Sequence, residues 1–348
     1  MTAMTASARF TLTRFAKAGE MMKPNFRVRS ALRWMMLLAS LVPLTAAAQP
    51  YPSKPLRLIV PLAPGGPSDV LARTMGQQVT PWLGQTVVVD NRTGAGGTIG
   101  TDVVAKAPAD GYTLLLIAMS TYTINASLYK KLPFDARKDL MPVTVLAAGP
   151  YMLVVHPSLP VRNLKQLIAL AKARPNDLSY ASGGAGTGPQ LAMELLKLKA
   201  GMSITHIPYK GQGAAVIDLI AGHEQVGLLN MIGTVQIVQQ GRLRAIAVSG
   251  PKQSAALPGI PTIEESGIPG FVEVAGHMIM VRSGTPPDIV ARLNREFIKA
   301  VNTPEVKGRL ESEGAEVIGN TPEQAAAIMR SDLDKWAEII AKAGLKAD

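Results

Sequence analysis

An α/β fold of alternating strands and helices is the class this sequence predicts. Three observations carry that reading. Strand-like and helix-like segments alternate from Tyr51 onward. A strand passes into a helix through the glycine and proline turn Pro61–Asp69, and the same device returns at Ser182–Pro189. The chain has 348 residues, 47% hydrophobic and only 18% charged, enough for two domains with full cores.

The first unit shows the logic. Leu56 to Val60 is an apolar run ending in the β-branched pair Ile59-Val60, and Val70, Leu71, Met75 and Val79 then fall at helical spacing. Ser68 or Asp69 is placed to cap that helix. Free N–H groups at such a point, with the helix dipole behind them, form an anion site. Taken alone, the turn reads first as a plain connection, since most βα loops only connect.

Gln85 to Val89 is the next strand, followed by Asp90 to Gly100 with four glycines. A dinucleotide fingerprint begun at Gly94 would need glycine where Ile99 stands, so that reading fails. A helix from about Thr98 to Ala107, a turn at Asp110-Gly111 and a strand from Tyr112 to Ile117 follow. Met119-Ser120-Thr121-Tyr122-Thr123 lies at that strand's carboxyl end, where open α/β sheets bind ligands. These hydroxyls read equally as anion donors and as solvated turn residues.

Tyr151 to His156 is a strand, and Asn163 caps a helix to about Ala173. The short strand Leu178 to Ala181 enters Ser182-Gly183-Gly184-Ala185-Gly186-Thr187-Gly188-Pro189, and the helix after it begins near that proline. No lysine follows as a nucleotide P-loop requires. A strand from about Ser203, a helix at Gly213–Ala221, and strands at Val226–Leu229 and Ala245–Ser249 come next. After a loop-rich span, the apolar strand Phe271–Val281 and helices near Pro286–Val301, Pro304–Gly314 and Pro322–Gly344 complete the chain.

Residues 1–48 read as a secretion leader. Arg27, Arg29 and Arg33 precede the apolar block Trp34–Leu44, and Ala46-Ala47-Ala48 offers a cleavage site after Ala48. The block is short for a transmembrane helix; an uncleaved anchor is the alternative. A start at Met21 or Met22 would bring the leader into the usual length range. Seven basic residues against Glu20 place +6 of the net +11 here, leaving +5 for the remainder. No basic run with interleaved aromatics occurs there, which argues against nucleic-acid binding.

Nothing in the chain compels an enzyme. There is no cysteine, and His156, His206, His223 and His277 lack metal-ligand spacing, so no metal site is expected. No Gly-x-Ser-x-Gly elbow occurs. His206, between Thr205 and Ile207-Pro208-Tyr209, reads as a packed or hydrogen-bonded structural residue before a general base. Asp69 reads as a capping carboxylate before a base.

Leu58-Ile59-Val60-Pro61 with Pro64-Gly65-Gly66 and Ser68-Asp69, Val87-Val88-Val89-Asp90-Asn91-Arg92 with Gly94-Ala95-Gly96-Gly97, and Asp110-Gly111-Tyr112-Thr113-Leu114-Leu115 form an ordered set. His206-Ile207-Pro208-Tyr209-Lys210-Gly211, Leu243-Arg244-Ala245-Ile246-Ala247-Val248, and Leu257-Pro258 through Glu265-Ser266-Gly267 continue it. From about Tyr51 to the C-terminus the chain resembles the substrate-binding receptors of tripartite tricarboxylate transporters, also called Bug receptors.

The resemblance implies a two-domain, periplasmic-binding-protein-like (type II) α/β fold with a central ligand cleft. Domain 1 would comprise residues 49–149 and 276–348, and domain 2 residues 150–275. It implies a periplasmic receptor that captures a small organic carboxylate and delivers it to the integral-membrane permease subunits of a transporter, with no cofactor and no catalysis. A monomer is expected. Family ligands are held by backbone N–H groups, hydroxyls and waters; the matching positions are Gly65, Gly66, Ser68, Asp69, Ser120, Thr121, Ser182, Gly186 and Thr187. The Ser68 and Thr187 hydroxyls are expected to donate to the carboxylate, with Asp69 as helix cap or amine contact. A sensor of a membrane signalling protein, or a periplasmic hydrolase or lyase, are the competing functions. The chain departs from the family pattern at Gly188-Pro189-Gln190-Leu191, where His-Leu usually follows a small residue, and at Ala275-Gly276-His277-Met278, where Trp-x-Gly is frequent. A third departure is Gly227 after Val226, where an acidic residue is common. All three bear on which acid is bound.

Overall fold

The computed structural model describes residues 50–343; the expected leader and its cleavage site lie outside them. The chain begins with β1 (Leu56–Val60), α1 (Pro67–Leu83), β2 (Val87–Asn91), a 3-10 turn (Ala95–Gly97), α2 (Thr98–Ala105) and β3 (Thr113–Ala118). Next come α3 (Met119–Leu128), β4 (Leu140–Val155), α4 (Leu164–Ala173), β5 (Ser179–Ser182), α5 (Gly188–Ala200), β6 (Thr205–Pro208) and α6 (Gln212–Ala221). It finishes with β7 (Val226–Asn230), α7 (Val235–Gln239), β8 (Arg244–Val248), β9 (Val274–Arg282), α8 (Pro287–Val301), α9 (Pro304–Ser312), β10 (Glu316–Val317) and α10 (Pro322–Ala343). Among the described residues, no helix is long and apolar enough to cross a membrane.

The strands run in the order β2-β1-β3-β9-β4-β7-β5-β6, with β8 and β10 also paired to β4. β1 is parallel to β2 and β3, and β5 is parallel to β6 and β7. β4 is the shared element. Its residues Leu140–Pro150 pair antiparallel with β9, and Tyr151–Val155 pair with β7 and β8. The partner therefore changes between Pro150 and Tyr151.

Period-two alternation sends the strand side chains to both faces. Leu58, Val60, Leu114 and Leu116 pack under α1, α8 and α9, whereas Ile59, Leu115 and Ile117 pack under α2, α3 and α10. Beyond the partner change, Tyr151, Leu153 and Val155 meet α4 and α5, and Met152 and Val154 meet α6. Near-continuous apolar strands follow from a sheet covered on both sides.

Three local expectations are corrected. The N-cap of α1 is Gly66, and no side chain caps it, so Ser68 and Asp69 lie inside the first turn. Met119–Thr123 opens α3 rather than forming a solvated turn; Ser120, Thr121 and Thr123 are all buried. β4 begins at Leu140, well before Tyr151, because its N-terminal half pairs with β9. Asn163 does cap α4, its Oδ1 accepting from Gln166 N–H at 2.9 Å.

Candidate functional site

Four βα connections deliver the N-termini of α1, α3, α5 and α6 to one cavity, which encloses about 490 Å³ including its mouth to solvent. Gly66, Ser68 and Asp69 enter it from α1, Ala118 and Thr121 from α3, Thr187 and Pro189 from α5, and Gln212 from α6. Central strands supply Tyr151, Asn230, Ala275 and His277. None of the four helices has a side-chain N-cap; Pro67 and Pro189 carry no N–H and Gly188 N–H is taken by Thr121 Oγ1, so the remaining first-turn N–H groups are the available donors. No Lys or Arg among the described residues lines the space.

The first loop is braced by Asp69. Its Oδ2 accepts from Gly65 N–H and from Arg73 Nε, each at 3.0 Å, and Arg73 also pairs with Oδ1. Gly65 holds a φ of +80°, a left-handed conformation that suits glycine. Burial works to raise the Asp69 pKa, but Arg73, the Gly65 N–H and Asn91 outweigh it and hold the carboxyl below its ordinary value. The carboxylate is thus tied back into its own loop and helix.

The second loop is packed too closely to admit a side chain at Gly186 or Gly188. A Cβ on Gly188 would overlap Ser120 Oγ and the Tyr151 hydroxyl, and one on Gly186 would overlap Asn125 Oδ1. Gly188 N–H donates to Thr121 Oγ1 at 3.4 Å, and Ser120 Oγ and Tyr151 OH lie 3.0 Å apart. Burial raises the Tyr151 pKa, keeping the phenol protonated.

The nine residues singled out by sequence divide into two groups. Gly66, Ser68, Asp69, Thr121 and Thr187 line the cavity. Gly65, Ser120, Ser182 and Gly186 stand behind it. Ser182 Oγ meets His206 Nε2 at 2.7 Å, Gly186 N–H donates to Gln190 Oε1 at 3.2 Å, and Ser120 holds Tyr151. His206 also stacks on Tyr180, with ring centroids 4.8 Å apart, which is the structural role its sequence context suggested. Thr187 differs from expectation in one respect. Its hydroxyl donates to Gly184 O at 2.7 Å, so that proton is committed within the loop. Ser68 Oγ has no partner among the described residues while lying buried at the cavity wall.

Sequence reasoning missed Tyr151, Gln212, Asn230 and His277. Gln212 Nε2 donates to Asn230 O at 3.0 Å, and Asn230 N–H donates to Gln212 Oε1 at 2.8 Å. This pair fixes the start of α6 to the end of β7. The asparagine's Oδ1 accepts from Ile232 N–H at 3.0 Å, while its Nδ2 has no partner among the described residues. A polar residue closing an apolar strand, as Asn230 closes Val226–Leu229, was the available signal.

Comparison with known proteins agrees with this architecture. Residues 71–345 match the family model described as tripartite tricarboxylate transporter family receptor. Protein BugT of Bordetella pertussis is 38% identical over 301 residues, covering 86% of this chain and 92% of that one. The structure of periplasmic binding protein BugD superposes with a TM-score of 0.82 at 33% identity, covering 86% of this chain and 100% of that chain. An R. palustris protein solved with adipate also gives 0.82, at 32% identity over 85% of this chain and 99% of that chain. The chain belongs to the tripartite tricarboxylate transporter receptor family, whose members are periplasmic solute-binding receptors.

Proposed function

We propose that this receptor captures a small organic carboxylate in the cavity at the four helix N-termini and hands it, unchanged, to the permease subunits of a tripartite tricarboxylate-type transporter. The observation that carries this reading is the convergence of four helix starts without side-chain caps on one buried space that no Lys or Arg among the described residues lines. Main-chain N–H groups and helix dipoles stabilise an anion there without a fixed counter-charge, which suits reversible capture. The adipate held by one structural neighbour supports the same ligand class. Two lobes, residues 49–149 with 276–348 and residues 150–275, would close on the acid. The change of β4 partners at Pro150–Tyr151 supports that division. We assign the protein to the periplasm and take it to act as a monomer.

A thermal-shift screen of organic acids tests this. An acid at a hundred times its Kd adds about 2.7 kcal/mol and raises the midpoint by several degrees. Recovery of the intact acid after unfolding separates a receptor from a hydrolase or lyase. A broad panel without any shift would overturn the reading.

A further inference from the structure

One buried side chain in the cavity has no task in the account above. His277 lies in β9 opposite Ala118 of β3 and Ala147 of β4, and it is fully enclosed. Neither Nδ1 nor Nε2 has a hydrogen-bond partner among the described residues. The other three histidines are engaged: His156 with Ser158, His206 with Ser182, and His223 beside Asp218. An unpartnered buried polar group is costly, and such groups persist where function uses them.

The charges around His277 are accounted for. Asp69 of α1 shares the cavity but is held by Arg73 and the Gly65 N–H. Tyr151 of β4 is held by Ser120 of α3. Glu273, just before β9, and Asp332 of α10 bear on Tyr151, and Lys335 of α10 pairs with Glu273 at 2.9 Å. Burial alone lowers the His277 pKa, to about 4, so the imidazole is neutral in the ligand-free protein at neutral pH. Among the described residues lining the cavity, His277 is the one side chain able to become a cation.

We propose that His277 contacts an anionic oxygen of the bound acid and takes up a proton from solvent as it does so. This rests on the reading of the cavity as an organic-acid site. Desolvation opposes the imidazolium until a carboxylate in the same low-dielectric space favours it. Binding is then linked to one proton on a ring nitrogen, and affinity falls as pH rises through the window between the free and bound pKa values. His277 thereby favours anions over neutral isosteres of the same shape.

Calorimetry in two buffers of different ionisation enthalpy at pH 5.5 reads this directly. The mature chain is titrated with adipate, succinate, malate, benzoate and nicotinate, and the tightest binder is repeated on His277→Gln. Comparison of the two proteins cancels the acid's own ionisation. Wild type should take up at least about half a proton more than the variant. Its affinity should also fall more steeply between pH 5.5 and 7.5. Equal proton uptake in both proteins overturns the proposal. Should the variant fail to fold, NMR of the imidazole in wild type decides: titration near pH 4 without acid must move upward by more than one pH unit with acid, and an unmoved titration overturns the proposal. Absence of binding by every acid overturns the organic-acid reading itself, whereas binding without differential proton uptake overturns only the role of His277.

Discussion

Gln212 and Asn230 exchange two hydrogen bonds, each residue offering one donor and one acceptor, so that the first residue of α6 is fixed to the last residue of β7. Both are buried and both face the cavity. Gln212→Leu keeps the bulk and removes both partners, leaving the Asn230 N–H without an acceptor. An unpaired buried donor costs about 1–3 kcal/mol, so the urea midpoint should fall accordingly, with acid affinity falling alongside. An unchanged midpoint would show that the pair positions nothing.

Ser68 separates binding from stability. Its hydroxyl has no partner among the described residues, so Ser68→Ala should leave stability within about 0.5 kcal/mol. Loss of a donor to a carboxylate should weaken adipate binding by about 1.5–3 kcal/mol, read by calorimetry. Thr187→Ala should show the reverse balance, because its hydroxyl already donates to Gly184 O. The expected cost there is about 1 kcal/mol of stability with a smaller change in affinity. Equal losses of affinity in both variants would contradict the geometry.

Gly188→Ala places a methyl group against Ser120 Oγ and the Tyr151 hydroxyl. Overpacking at such a contact costs about 1–3 kcal/mol and pushes the second loop off the start of α3. Acid binding should be lost or sharply weakened. The double variant Gly188→Ala with Ser120→Gly should recover part of the stability, and failure of that rescue would assign the clash to the Tyr151 hydroxyl.

His277 also sets a pH dependence without any acid present. Its folded pKa, about 4, lies below the ordinary value of 6.5, so the unfolded chain binds more protons between those limits. Stability therefore falls as pH drops from about 6.5, and the loss reaches about 3 kcal/mol once pH passes below 4. Urea midpoints of wild type and His277→Gln should diverge over that window and run parallel above pH 7. Divergence on the alkaline side would contradict the sign.

The loops were legible in the sequence because their signals are local. Gly65-Gly66 with Ser68, and Ser182 to Pro189, announce turns and helix starts within a few residues. Tyr151 and His277 gave no such notice, since each sits in an apolar strand and reaches the cavity only through sheet register, whereas Asn230 was marked only as the polar residue that closes an apolar strand. The first half of β4 was hidden by Pro142, which argues against a central strand. The structure accommodates it at a register shift between Pro142 and Thr144, the kind of bulge where proline is tolerated. The cap expected at Ser68 or Asp69 failed because Pro67 takes the first helical position and moves the boundary back to Gly66.

The loop between β1 and α1 meets the loop between β6 and α6 through one main-chain hydrogen bond, Ala63 N–H to Lys210 O at 3.3 Å. Gly211 and Gly213 let those backbones touch, but closeness adds little strength. A bond of that kind is worth about 0.5–1.5 kcal/mol net. That is a few times RT at most, so this contact between the two loops is weak beside the stability of the body that carries them. Breaking it demands a small fraction of what unfolding demands, so these two loops can part while the rest of the fold stays intact.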